Sequence, residues 1–150
     1  MNVYPIEAGN FKLDGGAMFG VVPKSLWTKT NPADADNMIE MSSRCMLVEN
    51  SDKLILVDTG MGDKQSEKFF KYYKRWGSDN LVKSINSAGF SIDDVTDVLL
   101  THLHFDHCGG AVAWDSSKEA YDVLFKNANY WSNEKPVSYT HLTLPTIVSV

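Results

Sequence analysis

Cysteine is nearly absent from this chain. Cys45 and Cys108 are the only two and no C-x-x-C pair occurs, so a disulfide framework is excluded and a reducing, cytosolic compartment fits best. Either thiol can serve as a small buried apolar residue. Long apolar runs are lacking too, and none approaches the roughly 20 residues that span a bilayer. The start, "MNVYPIEAGNFKLDGG", has no basic segment leading into an apolar one. No secretory signal is read there, and a cytoplasmic protein without a membrane partner is expected. A basic stripe is also missing. Fourteen Lys and Arg face nineteen Asp and Glu, a net charge of -5, which argues against nucleic acid as the main partner and favours plain solubility. "GGAMFG" matches neither a dinucleotide fingerprint nor a phosphate-binding loop.

What is present suits one globular domain. The 150 residues are 43% hydrophobic and 22% charged, enough for a single ordinary core and not two. "RCMLVEN" and "KLILVDTG" are β-rich runs separated by Ser51 and Asp52, which predicts a hairpin. "AMFGVV" (17–22) reads as a strand closed by Pro23, and "NPADADN" (31–37) as a surface loop. "SEKFFKYYKRWG" spaces Phe69, Phe70, Tyr73 and Trp76 as a helix stopped by Gly77, its aromatics serving as core or as a binding box. "DNLVKSINSAG" puts Leu81, Val82, Ile85 and Ala88 on one helical face. Beyond it, Val98, Leu99 and Leu100 form an apolar strand, "AVAW" opens a helix, "YDVLF" and "ANYW" are strands, and Ser132 caps a further helix at "NEK". Strands alternating with helices indicate an α/β chain.

Three of the four histidines fall in "THLHFDHCGG". His102, His104, Asp106 and His107 occupy six residues after an apolar strand, the end where α/β folds place ligand sites. Alternation in an extended segment points His102 and His104 to one side. Asp106 and His107 are adjacent and diverge, so they can serve two neighbouring ions. Imidazole with carboxylate suits zinc, iron, manganese or cobalt. Gly109 and Gly110 allow a tight backbone beside such ions.

These residues resemble the H-x-H-x-D-H signature of the metallo-β-lactamase superfamily. "LILVDTGMG" is similar to that family's earlier motif, in which an aspartate ends a strand below the metals; here it is Asp58, a supporting residue of the site or a plain turn former. "FKLDGGAMFGVVPKSLW" (11–27) and "YWSNEK" (130–135) look like segments of the lactonase-like branch, which includes quorum-quenching N-acyl-homoserine-lactone lactonases and organophosphate hydrolases. In that branch the first segment lies near the substrate mouth, which makes Met18 and Phe19 candidate pocket residues, with core packing as the alternative.

The resemblance implies an αββα sandwich of layered α+β type and two divalent metal ions, zinc first, with iron, manganese or cobalt as alternatives. It assigns His102, His104 and a later histidine to one ion, Asp106, His107 and a further histidine to the other, and a later aspartate as the bridge. It implies attack of a metal-bound hydroxide on an ester carbonyl, with Asp106 moving the proton to the leaving alkoxide. The implied partner is a small lactone or ester, and a homo-oligomer is compatible. Organophosphate or other ester hydrolysis, or a non-catalytic metal-binding fragment, are the alternatives.

The later ligands find no match in the chain, whose fourth histidine is His141. "VSYTHLTLPT" (137–146) looks like a sequencing-library adapter read in frame, GTC TCT TAT ACA CAT CTG ACG CTG CCG ACG. The expectation is therefore a partial domain over 1–135, the N-terminal half of the sandwich, and an artefactual tail over 136–150, with His141 outside the metal site and the fragment itself inactive.

Overall fold

The turn at Ser51 and Asp52 closes the expected hairpin, with Ser51 in the left-handed region at φ 55°. In this computed structural model, which describes residues 1–133, the hairpin lies at the centre of a five-stranded sheet. The chain runs β1 (Asn2–Asp14), α1 (Gly15–Phe19), α2 (Lys24–Trp27), β2 (Met38–Asn50), β3 (Lys53–Val57), α3 (Glu67–Tyr73) and α4 (Leu81–Ser87). It continues through β4 (Asp97–Leu100), α5 (Phe105–Cys108), β5 (Val112–Trp114), β6 (Tyr121–Val123) and β7 (Asn129–Ser132). Strand order is β1-β2-β3-β4-β7, with β5 and β6 forming a separate hairpin. The pairs β1/β2 and β2/β3 are antiparallel, whereas β3/β4 and β4/β7 are parallel.

The long β1 escapes the sequence pattern because its period breaks. Between Glu7 and Asn10 it advances three residues against two on β2, a bulge that includes Gly9 at φ 123°. The extra residue lets Ile6 and Phe11, an odd number apart, both point into the buried face. Pairing with β1 also extends β2 back to Met38, well before the expected start at Arg44.

The core lies between one face of the sheet and α4. Ile6, Leu47, Leu56, Val98 and Ile85 are fully buried there, joined by Phe125 from the loop before β7. Asn80 caps α4 by accepting from the Lys83 N–H at 2.9 Å. A second cluster joins Phe11, Met61 and Phe70 of α3, whose Ser66 cap accepts from the Phe69 N–H. The aromatics of α3 are therefore divided: Phe70 is core, whereas Trp76 beyond the helix end is exposed.

Three local expectations are corrected. The run 17–22 is not a strand: the Asp14 carboxylate accepts from the Ala17 N–H at 2.7 Å and starts α1, which ends at Phe19 with Gly20 at φ 55°. A short polar cap overrides the β-propensity of the run. "AVAW" opens no helix. Its residues 112–114 form β5, held by pairing of Val112 with Val123 and Trp114 with Tyr121. Helix α3 stops at Lys74, itself left-handed at φ 41°, and not at Gly77. Ser132 ends β7; the helix expected after it, the boundary at 135 and His141 lie outside the described residues. Among the described residues no helix is long and apolar enough to cross a membrane.

Candidate metal centre

Strands β3 and β4 are parallel neighbours, so Asp58 and Thr101 leave the sheet side by side. The ladder continues one step further, with the Asp58 N–H donating to the Leu99 carbonyl at 2.9 Å. Asp58 then turns left-handed at φ 60°, a conformation rare outside glycine. The turn aims its carboxylate across the strand ends. Oδ1 accepts from the Thr101 N–H and the Thr101 hydroxyl, each at 2.9 Å, and Oδ2 lies 2.9 Å from the same hydroxyl. Oδ2 also takes His107 Nδ1 at 2.9 Å. With Nδ1 committed to a carboxylate, His107 keeps Nε2 as its free lone pair, the arrangement in which imidazole serves as a metal donor.

The histidine segment changes character along its length, with His104 still extended at φ -70° and ψ 145°. His102, Leu103 and His104 are irregular, and Phe105–Cys108 form the single helical turn α5. That turn is clamped on both sides. Phe105 packs edge-on against Phe69 at 5.6 Å and beside Tyr73 at 4.7 Å, so the aromatic face of α3 supports the histidine segment. From the other side the Thr59 N–H and hydroxyl donate to the His107 carbonyl at 2.7 and 3.0 Å.

Behind α5 the chain presses backbone on backbone. The Gly110 N–H donates to the Gly60 carbonyl at 2.9 Å, and Lys64 Nζ donates to the Gly109 carbonyl. A Cβ on Gly109 would run into the Met61 carbonyl oxygen, and one on Gly110 into that of Thr59. The two glycines are needed for this close approach between the two motifs.

The result brings His102, His104, Asp106 and His107 to one corner. The His102 ring centre lies 4.0 Å from that of His107 and 4.6 Å from that of His104, and Asp106 Oδ2 is 3.7 Å from His107 Nε2. Burial, followed by the neighbouring His107 and His104, pushes the His102 pKa down, which favours the neutral imidazole. Among the described residues, no three His, Cys, Asp or Glu side chains converge on a common point as a finished cage. The donor set, three imidazoles and a carboxylate, nevertheless has the chemistry that divalent transition ions take.

Met18 is exposed on α1 and Phe19 stacks on Trp27 at 5.0 Å. Neither lines the cavity of about 300 Å³ walled by Phe11, Met61, Arg75 and Trp76. Cys45 is buried and its thiol pushed up to about 12 by that burial; Cys108 is pushed up for the same reason, and both are free. Thr59, Lys64 and Thr101 take part in the corner without any assigned role in the sequence. The one available signal was their position beside the two motifs.

Residues 39–139 match the family model of the metallo-beta-lactamase superfamily. The chain belongs to that superfamily. Its mixed α/β layering is that of the superfamily fold: a "probable metal-dependent hydrolase" from Staphylococcus aureus superposes with a TM-score of 0.83 at 29% identity, over 94% of this chain and 50% of that one. AidC, described as a dizinc quorum-quenching lactonase in complex with a product, gives a TM-score of 0.64 at 28% identity, over 91% of this chain and 43% of its own. An N-acyl homoserine lactonase of Bacillus cereus is 28% identical over 104 residues, 63% of this chain and 40% of that protein. The chain thus spans well under half the length of this curated metallo-beta-lactamase relative.

Proposed function

We propose that this chain carries one part of the two-metal site of a lactone- or ester-opening hydrolase. The observation that carries the reading is the Asp58–His107 contact at 2.9 Å, which frees His107 Nε2 in the corner that also holds His102, His104 and Asp106. His102 and His104 would hold one divalent ion, and Asp106 and His107 its neighbour, with zinc preferred because the dizinc lactonase is among the similar structures. Such ions, when bound, acidify a water and polarise a carbonyl oxygen. The chain's own part is to position and to move a proton. Asp58 orients His107. Asp106 receives the proton as water adds to the ester carbonyl, and returns it to the ring oxygen as the C–O bond breaks.

The substrate class rests on likeness to proteins named as N-acyl homoserine lactonases. A second reading, a non-catalytic metal binder, is favoured for this chain alone by the lack of a complete three-ligand group among the described residues. Elemental analysis after zinc loading tests the ligand assignment. Zinc content is expected to fall in His102→Ala and His104→Ala, and unchanged content in both overturns it. A soluble monomer of this chain that holds two tightly bound ions and opens lactones would overturn the division into two incomplete pairs.

A further inference from the structure

Thr101 occupies a position that constrains its only hydroxyl proton. Its Oγ1 lies 2.9 Å from each oxygen of the Asp58 carboxylate and 3.0 Å from His102 Nδ1. A carboxylate can only accept, and a threonine hydroxyl has one proton to give. If that proton went to His102, the hydroxyl lone pairs would face two carboxylate oxygens at contact distance with nothing between them. The proton therefore goes to Asp58. The hydroxyl oxygen is then an acceptor towards His102, and the 3.0 Å contact is a hydrogen bond only if Nδ1 of His102 carries a hydrogen.

We infer that Thr101 is a positioning residue that passes the influence of Asp58 on to His102. One carboxylate sets two imidazoles: His107 directly and His102 through a hydroxyl. Both rings then carry hydrogen on Nδ1 and present Nε2 as a lone pair, and their centres lie 4.0 Å apart. In the reading of the preceding subsection, on which the metal part of this inference rests, these two histidines serve different ions. Asp58 and Thr101 would thus be common to both half-sites. The Thr101 backbone N–H also donates to Asp58, so the carboxylate keeps its place when the hydroxyl alone is removed.

The test begins on the metal-free full chain, at a pH well above the ordinary histidine value, with long-range proton–nitrogen spectra of the imidazoles. In the natural chain His102 and His107 are both expected to carry hydrogen on Nδ1. Hydrogen on His102 Nε2 would overturn the inference without any variant. Thr101→Val keeps the side-chain shape and the backbone donor. It is expected to move His102 towards the Nε2–H form and leave His107 unchanged, whereas Thr101→Ser restores His102. Asp58→Asn is expected to disturb both rings. A His102 that keeps its Nδ1 hydrogen in a folded Thr101→Val overturns the inference. In zinc titrations, Thr101→Val should weaken binding on the order of tenfold, with recovery in Thr101→Ser. If His102 follows Thr101 in the spectra and no form binds zinc, the metal reading falls and the role of Thr101 stands.

Discussion

Two neighbouring rows of the sheet differ by one residue on each strand and behave oppositely. One row runs Tyr4, Leu47, Leu56, Val98 and Tyr130 across the five strands; the next runs Pro5, Met46, Val57, Leu99 and Trp131. Leu47, Leu56 and Val98 are 0% exposed, whereas Met46, Leu99 and Trp131 are 43%, 42% and 55% exposed. Both rows are apolar, and only the first is covered by α4 and its neighbours among the described residues. Side-chain alternation decides which row is which, and hydrophobicity alone cannot. An apolar residue in this sheet therefore contributes to stability according to its parity.

The largest expected effect lies on the covered row. Leu56→Ala should destabilise the chain by about 2–5 kcal/mol, read from the midpoint of urea unfolding, because the cavity cannot fill from a packed face. A loss below about 1 kcal/mol would mean that the row is not the core. A smaller effect is expected at the sheet's carboxyl end, where no side chain can yield. Gly110→Ala should cost about 1–3 kcal/mol through the collision with Thr59, measured in the same way.

Next is Asp97, the buried acid one step along β4 from the covered row. Hydrogen bonds from Thr96, Trp131 and Lys53 hold its carboxyl at about 2, below its ordinary 3.8. The folded chain thus binds fewer protons than the unfolded one between those values. Its contribution is complete above pH 3.8 and is lost as pH falls through about 2. Asp97→Asn should flatten stability against pH over that window, and an unchanged acid-unfolding curve would contradict the assignment. The smallest effect is expected on the open row. Leu99→Lys should shift stability by less than about 0.5 kcal/mol while raising solubility, since it breaks a contiguous apolar surface. A large loss there would show that the row is covered after all.

The hairpin of β2 and β3 was readable because apolar alternation and a polar turn agree. The bulged β1 was not, since Gly9 interrupts its period and Pro5 obscures it. At residues 15–19 a single carboxylate cap prevailed over an apolar run with strand propensity. The histidine corner shows the same division. Three histidines and an aspartate in six residues mark a candidate site through composition and spacing, and Asp58 could be suspected from its place at a strand end. The share of Thr101 was hidden because it follows from counting one proton among three atoms, and that count exists only once two distant strand ends stand side by side.

The close contact of residues 59–61 with Gly109 and Gly110 has a consequence for how the chain can change over time. The two halves of the corner are joined directly through main-chain atoms, and within the segment that links them in sequence it is α3 that adds support, through Phe69 and Tyr73. That segment contributes Leu81 and Ile85 to the core, with Ala88 and Phe90 packed against it, and Gly89 is the exposed point of the turn after α4. Insertions at that turn can lengthen the connection at little entropic cost, while both ends stay in place. The main-chain contact thus sets the distance between the two parts of the corner, and the turn at Gly89 is where this chain can take added length.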